Sequence, residues 1–565
     1  MHRRHFVKTT SSLMMAPWLP ELPLVSSHES SLLEQMVKIN DTRVTGRMTS
    51  QIKDPNHLWY GGSPNQYDIP NAGSSCALIR DLSCAYVSPG SKYFQSAELI
   101  DSMTLASQYL LHIQYEDGTV DLHTTNFHSP PDTAFRVEPL AYSYQLLNRS
   151  DNPPRKVLSN LRAFLVNAGR ALSVGGIHTP NHRWVVCMAL SHIHRLFPNQ
   201  VYLDRVDQWL AEGIDIDEDG QYTERSTTVY SPEVDKCLIT VARLLGKEAL
   251  FEPVRKNLEM SLYYLRPNYQ VSTEASGRQD RYQIGTAIRY YYPYRYMALK
   301  DQNSRFAHVT KVLENQDLNG ISHSLMYVLE DNSLLQKLPQ EQSLDTDYVK
   351  YFKGSSLVRI RRDNLDATIL SDNTLFFSFF KGSAALTGLR LASAFFGKGQ
   401  FKADAMEIDA NVYRLTQYLE GPYYQPLKAG ETFLGSQEDF SNQRASSREQ
   451  SEVQKLHTTV TITENSGRFD ININISGTDH VPVALELAFR EGGKLEGVEP
   501  VEGVENGFLL PQGSVKYSHN GNTISVGPGR AEHKWTQLRG ALPKMNGPGV
   551  YLTGYTPVNW DMQVY

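Results

Sequence analysis

From residue 31 to about residue 335, apolar side chains recur at three- and four-residue intervals, as in SAELIDSMTLASQYLLHIQ (96–114), KVLSNLRAFLVNAGRAL (156–172) and SPEVDKCLITVARLL (231–245). That spacing gathers them on one face of a 3.6-residue helix and predicts a helical array. From about residue 355 the period changes to two. SSLVRIRRD, TLFFSFFKG, HTTVTITENSGRFDININISG and VPVALELAFREGG alternate or carry β-branched and aromatic residues, and they are broken by Asp-Asn, Asn-Ser-Gly and Gly-Thr-Asp turns. Such runs predict antiparallel sheets. The segment 336–354 reads as a linker, and the polar stretch SQEDFSNQRASSREQSE (436–452) as an insertion within the β region.

Glycine-bearing breaks separate the helices at Gly118, Gly175, Gly220 and Gly277, at intervals of 57, 45 and 57 residues. Two helices and their connections fill each interval, so equivalent loops stack on one rim, and about 300 residues make five or six hairpins. The expected fold class is an α+β multidomain chain. An incomplete (α/α)5–6 toroid over 31–335 is followed by an antiparallel β-sandwich over 355–565, which closes over the glycine rim.

Composition narrows the partners. With 565 residues, 40% hydrophobic and 21% charged, the chain is globular and too long for one core. A net charge of −6 gives no general basic field and argues against a nucleic-acid partner. The four cysteines, Cys76, Cys84, Cys187 and Cys237, lie in apolar surroundings without C-x-x-C spacing, so they read as buried free thiols. The first 30 residues open MHRRHFVKTT, and Arg3-Arg4-x-Phe6-x-Lys8 ahead of a modestly apolar stretch resembles a twin-arginine export signal, which implies a periplasmic destination. No other segment approaches the roughly 20 apolar residues of a membrane span.

The rim loops carry the chemistry. They hold Asn126 and His128; Asn181, His182 and Arg183; Tyr222, Glu224, Arg225 and Tyr230; and Arg278 and Arg281. Amides, imidazoles, phenols and guanidiniums dominate, and no Walker loop, nucleophile elbow, dinucleotide fingerprint or metal-ligand spacing appears. This set suits β-elimination from a uronic acid. The substrate carboxylate must be hydrogen-bonded or neutralised before the adjacent proton leaves, a base must take that proton, and an acid must protonate the departing glycosidic oxygen. No cofactor is required. His457, His480, His519 and His533 are too scattered in sequence to define a metal site, so a structural cation in the β region stays open.

Asn181-His182 at the start of a helix, followed by DG-x-[FY]-x-E (Asp219 to Glu224) and then Tyr230, resembles the heparinase II/III, alginate lyase and related uronate-lyase toroids. The resemblance implies a toroid followed by β-sheets, an acidic polysaccharide as substrate, Asn181 as carboxylate neutraliser, His182 as base and Tyr230 as acid. For some stereochemistries it implies Tyr230 in both roles. In length and organisation the chain also resembles the lyases that remove a terminal rhamnose from glucuronate.

Bland readings stand beside these. Thr179-Pro180-Asn181 is a helix start in which Thr179 or Asn181 caps. Glu224 pairs with Arg225, and YYYPYRY (290–296) is a tyrosine-rich helix end packed against the β domain. Two other functions remain open: a toroid glycoside hydrolase with Asp132, Asp219, Glu224 and Asp280 as candidate carboxylates, and a non-catalytic glycan-binding protein.

Overall fold

The computed structural model describes residues 27–432, 435–438 and 447–565. The export signal expected over 1–30 lies outside the described residues except for its last four, which open the first helix. Long helices alternate between an outer and an inner layer. The outer members are α1 (Ser27–Ser50), α3 (Ala97–Ile113), α5 (Arg155–Val174), α7 (Gln200–Ala211), α9 (Phe251–Leu262) and α11 (Ser304–Gln316). The inner members are α2 (Ala72–Val87), α4 (Pro130–Arg149), α6 (His182–Leu196), α8 (Tyr230–Leu245) and α10 (Tyr291–Asp301). Each inner helix packs on the next, from α2 through α4, α6 and α8 to α10. Two short helices, α12 (Leu318–Ile321) and α13 (Leu325–Glu330), bring the chain back to α1, where Arg43 donates to the Ser322 carbonyl at 3.1 Å. The result is five hairpins and a truncated sixth, the incomplete toroid that the repeat spacing predicts.

Burial follows from position in these layers. In α5 the stripe Val157, Leu161, Phe164, Leu165, Ala168 and Leu172 is buried, and the larger of these side chains contribute about 2 kcal/mol each on leaving water. The inner α6 is instead buried without interruption from His182 to Ile193, because neighbours enclose it on every side. The floor of the ring is polar and aromatic: Tyr327 donates to Glu138 at 3.0 Å, stacks on Tyr292 at 4.3 Å and meets Tyr142 edge-on. YYYPYRY therefore does not pack against the β domain. Tyr290, Tyr291, Tyr292 and Tyr294 are buried in the toroid's own core. All four cysteines are buried and free.

Connections at the two faces of the ring differ in length. Inner-to-outer links are short, such as 197–199 and 302–303, whereas the outer-to-inner loops 51–71, 114–129, 175–181, 212–229 and 263–290 all lie at the N-terminal ends of inner helices. The four glycines fall in these rim loops, but only two are equivalent. Gly118 (φ +92°) and Gly220 (φ +95°) turn against the Asn167 and Lys256 carbonyls of outer helices, where an added Cβ would sit 2.2 and 2.5 Å from oxygen. Tyr269, at φ +59°, takes the corresponding turn of the last loop, while Gly175 caps α5 and Gly277 packs on Glu224.

The β region is a two-sheet sandwich. A nine-stranded sheet runs from Asp347–Phe352 at one edge through Ala384–Ser393 and Pro482–Phe489 to Glu499–Pro500, and an eight-stranded sheet lies behind it. In Arg468–Gly477 the alternation is clean, with Phe469, Ile471, Ile473 and Ile475 inward. Pro482–Phe489 is buried on both faces: Val483, Leu485 and Leu487 face the second sheet, while Ala484 packs with Leu538 and Glu486 accepts from the Met545 N–H at 2.8 Å, so the segment 538–545 covers the other face. Two details differ from the sequence reading. Asp347–Phe352 is a strand inside the segment 336–354 that reads as linker, and Gly507–Leu509 pairs in parallel with Gly549–Tyr551. The end of the polar insertion, Gln450 to Glu452, belongs to the strand Gln450–Asn465, and residues 439–446 lie outside the described set.

The sandwich docks on the rim loops. Gly354 donates to Asp219 at 2.6 Å, Tyr282 donates to Asn373 at 2.7 Å, and Asn373 donates to the Glu274 carbonyl at 2.9 Å. Beneath these contacts Arg359, Asp366, Arg266 and Glu274 form a buried charge network across the seam.

Candidate active site

Three rim loops converge where α6 and α8 begin. Asn181 precedes α6 in helical backbone conformation (φ −62°, ψ −25°), and its side chain caps nothing. Its Nδ2 donates instead to Glu224 Oε1 at 2.5 Å and to Thr179 Oγ1 at 3.2 Å, and its backbone N–H reaches the same Glu224 oxygen at 3.0 Å. This corrects the helix-cap reading: a carboxylate from a loop 43 residues away outcompetes the local cap, because charge-assisted hydrogen bonds are the stronger ones. Asn181 Oδ1 is left buried without a partner.

Glu224 is the hub. Its second carboxylate oxygen lies 3.4 Å from Arg278 Nε. The Arg278 guanidinium in turn sits 5.0 Å from the centre of the Tyr230 ring, and Gln279 Nε2 donates to the Tyr230 hydroxyl at 2.9 Å. Gly277 N–H closes the loop onto the Glu224 carbonyl at 3.1 Å. Glu224 thus pairs with Asn181 and Arg278, while its chain neighbour Arg225 turns to the seam and donates to the Gly354 carbonyl at 2.9 Å.

His182 fills the space between α4 and this group. Its ring meets Phe135 and His178 edge-on at 6.1 and 4.7 Å, and its Nδ1 is buried without a partner. Burial pushes its pKa down to about 4, with His178 and Arg278 acting in the same direction and Asp132 opposing them. His182 is therefore neutral across the physiological range and able to accept a proton. Asp132 is held by Asn126 at 2.8 Å and Ser129 at 2.6 Å, which places Asn126 at the margin of the cluster.

The structure therefore brings Asn181, His182, Glu224, Tyr230 and Arg278 together and sends the other sequence candidates elsewhere. Arg183 points away, ion-paired with Glu212 at 3.1 Å and Asp215 at 2.9 Å and stacked on Trp184. Tyr222 is buried and donates to Asp235 at 2.8 Å, and burial raises the pKa of both groups well above their ordinary values. His128 stacks on Tyr115 at 3.7 Å and pairs with Asp117 on an exposed hairpin. Arg281 donates to the Ser276 carbonyl beyond the cluster. Gln279 and Phe135 escaped the sequence reading, since neither residue type announces a role without its neighbours.

The carboxylates considered for hydrolysis are held by donors: Asp280 by Thr228 and Ser276, Asp219 by Gly354, and Asp132 by Asn126 and Ser129. Among the described residues no three His, Cys, Asp or Glu side chains assemble as a metal site, and no helix is long and apolar enough to cross a membrane.

Solved structures give the comparison for a toroid whose long loops meet a β-sandwich. The chain is similar to the chondroitin AC lyase of Streptomyces coelicolor A3 in complex with chondroitin sulphate, with a TM-score of 0.55 at 11% identity over 95% of this chain and 82% of that one. It is also similar to a xanthan lyase of Paenibacillus, with a TM-score of 0.54 at 10% identity over 95% of this chain, and it spans 57% of that longer protein. These likenesses establish the fold. No protein-family model matches the chain, and no curated relative matches it.

Proposed function

We propose that the chain is a polysaccharide lyase that cleaves the glycosidic bond to a uronic acid by β-elimination, leaving a 4,5-unsaturated uronate. The observation that carries this reading is the cluster itself: a neutral His182 that feels the charge of Arg278, the Tyr230 ring 5.0 Å from the same cation, and Asn181 fixed by Glu224. Lyases of this fold supply the setting, since the similar structures are named as lyases of xanthan and chondroitin.

Each group has a task. His182 takes the proton from C5. The electron pair forms the C4–C5 double bond, the C4–O bond breaks, and the departing oxygen takes its proton from Tyr230. The phenoxide left behind is stabilised by Arg278, a pre-positioned cation of the kind that lowers the barrier where charge develops. Both proton-bearing positions of Asn181 are used by Glu224 and Thr179, and its free acceptor Oδ1 is itself buried, so a uronate reaches that atom only by displacing what covers it. As an acceptor, Asn181 then binds the uronate carboxyl as the acid, sharing its proton, and the neighbouring Glu224 favours that neutral form by opposing a second negative charge. Five inner-helix N-termini directed at the rim add a positive field that suits an acidic chain.

The test is a panel of uronate polysaccharides followed by ultraviolet absorbance, with products analysed by mass in heavy-oxygen water. An eliminase gives a conjugated, absorbing product without solvent oxygen, a hydrolase incorporates one oxygen, and a glycan-binding protein gives neither. Rhamnose-capped glucuronate belongs in the panel, supported by chain length and layout, and is scored by release of free rhamnose. The twin-arginine-like start supports action outside the cytoplasm, where a polymeric substrate is met.

A further inference from the structure

Beyond the cluster, the loop 273–284 and the toroid side of the nine-stranded sheet enclose a cavity of about 820 Å³, within the range of ligand pockets. The same loop walls both places: Gln283 Nε2 donates to the Gln279 carbonyl at 2.9 Å, and Gln279 holds the Tyr230 hydroxyl. Phe380 and Phe489 form an apolar wall, and Tyr282 stands exposed at the mouth.

The cations in this cavity are unequally committed. Arg266 is paired with Glu274 and Arg390 with Glu486, so their charge is balanced. Arg281, Arg490 and Lys544 meet no carboxylate at ion-pairing distance among the described residues. Arg281 donates to the Ser276 carbonyl, Arg490 to the Gln270 side chain at 2.8 Å, and Lys544 to the carbonyls of Met545 and Gly547 at 3.0 and 2.5 Å. Arg490 Nε is buried with no partner, and burial lowers the guanidinium's pKa from its ordinary value with no carboxylate opposing it. The remaining acid of the lining, Glu491, is exposed. A partly desolvated cation without a counter-ion is unfavourable alone and becomes favourable when an anion completes it.

We propose that this cavity is a subsite for an anionic substituent, a carboxylate or a sulfate ester, carried by a sugar other than the one that reacts, with Arg281, Arg490 and Lys544 as its ligands. The proposal rests on the lyase reading of the neighbouring cluster. Tyr282, exposed at the mouth, suits the sugar ring, and the three cations suit its charged group.

The experiment is calorimetric titration of the full chain in a Tyr230→Phe background, with and without Arg281→Gln and Arg490→Gln together. The probes are a hyaluronan hexasaccharide, which carries carboxylates only, a chondroitin 4-sulfate hexasaccharide, and a carboxyl-reduced, neutral hyaluronan hexasaccharide. The double substitution is expected to weaken acidic probes by about tenfold or more, the scale of one or two lost charge-assisted contacts, and to leave the neutral probe unchanged. Loss with both acidic probes identifies a carboxylate, and loss confined to the chondroitin probe identifies a sulfate ester. Absence of binding by either acidic probe, unchanged affinity, or an equal loss with the neutral probe overturns the proposal. Should the double variant not fold, Arg281→Gln alone, on an exposed loop, is read in the same way with a loss of about threefold or more expected. Absence of unsaturated product from every uronate polymer overturns the lyase reading, and the titration is scored independently of that outcome.

Discussion

Replacing Asn181 by aspartate sets two carboxylates against each other in a buried site. The donor lost is the Nδ2 that lies 2.5 Å from Glu224 Oε1. Two unit charges at that separation repel by about 7 kcal/mol at an effective dielectric of 20. Taking up one proton instead costs about 4 kcal/mol at pH 7, for a carboxyl whose ordinary pKa is about 4. Protonation is the cheaper response, so the pair takes a proton and the variant loses roughly 4 kcal/mol at pH 7. The sign follows from the raised folded-state pKa: the deficit is small near pH 4 and grows with pH, passing about 1.5 kcal/mol at pH 5. Adding Glu224→Gln to Asn181→Asp restores one donor and one acceptor at the same contact and should recover most of the stability. Both variants should stay inactive, because the negative charge that the parent holds on Glu224 is shared with position 181 in the single variant and carried there in the double, against the substrate carboxyl. Urea unfolding at pH 5 and pH 7 measures the first effect and ultraviolet product formation the second. An Asn181→Asp variant as stable as the parent at both pH values, or a double variant no more stable than the single, would refute the contact as the source of the effect.

Three further outcomes can be measured independently. Tyr230→Phe keeps the ring beside Arg278 and deletes the hydroxyl, so the fold should persist while turnover falls about 100-fold or more; near-parental turnover excludes Tyr230 as the proton donor. With His182 as base, kcat/KM should stay level as pH falls from 7 and drop only near pH 4, where the buried imidazole takes a proton; a limb near 6.5 would show that the base is a solvated histidine. His192 is fully buried with neither ring nitrogen bonded, and burial pushes its pKa to about 3. Since the unfolded chain protonates it at about 6.5, stability is lost as pH falls through that window, and His192→Leu should gain about 2 kcal/mol on the parent between pH 7 and pH 5. Equal acid sensitivity of the two proteins would show that His192 is not among the groups responsible.

Much of the scaffold was legible because one period dominates each half. The stripe of α5 and the alternation of Arg468–Gly477 are each single-sided, so sequence periodicity and burial agree. The strand Asp347–Phe352 was hidden because, as an edge strand in DYVKYF, it is mostly exposed and offers no apolar face to read. The glycine spacing led to the right rim by a partly wrong route. Gly118 and Gly220 share a left-handed turn against an outer helix, Tyr269 makes the corresponding turn without glycine, and Gly175 and Gly277 serve other purposes.

The site divides along a different line. Asn181, His182 and Arg183 are consecutive, and successive residues on a helix point about 100° apart, so three of them cannot face one substrate. The structure resolves the choice through partners remote in sequence: Glu212 and Asp215 draw Arg183 outward, while Glu224 draws Asn181 inward. Tyr222 and Tyr230 pose the same problem eight residues apart, and here Asp235 decides, burying the Tyr222 hydroxyl in the toroid and leaving Tyr230 as the tyrosine of that loop at the rim. A sequence can nominate residue types for a reaction, but which of two adjacent candidates turns toward the substrate is set by long-range pairing. In this protein the decisive partner is Glu224, which orients Asn181 with one carboxylate oxygen and faces Arg278 with the other, so the loop that carries it determines the geometry of a site whose other groups come from two further loops and two helix starts.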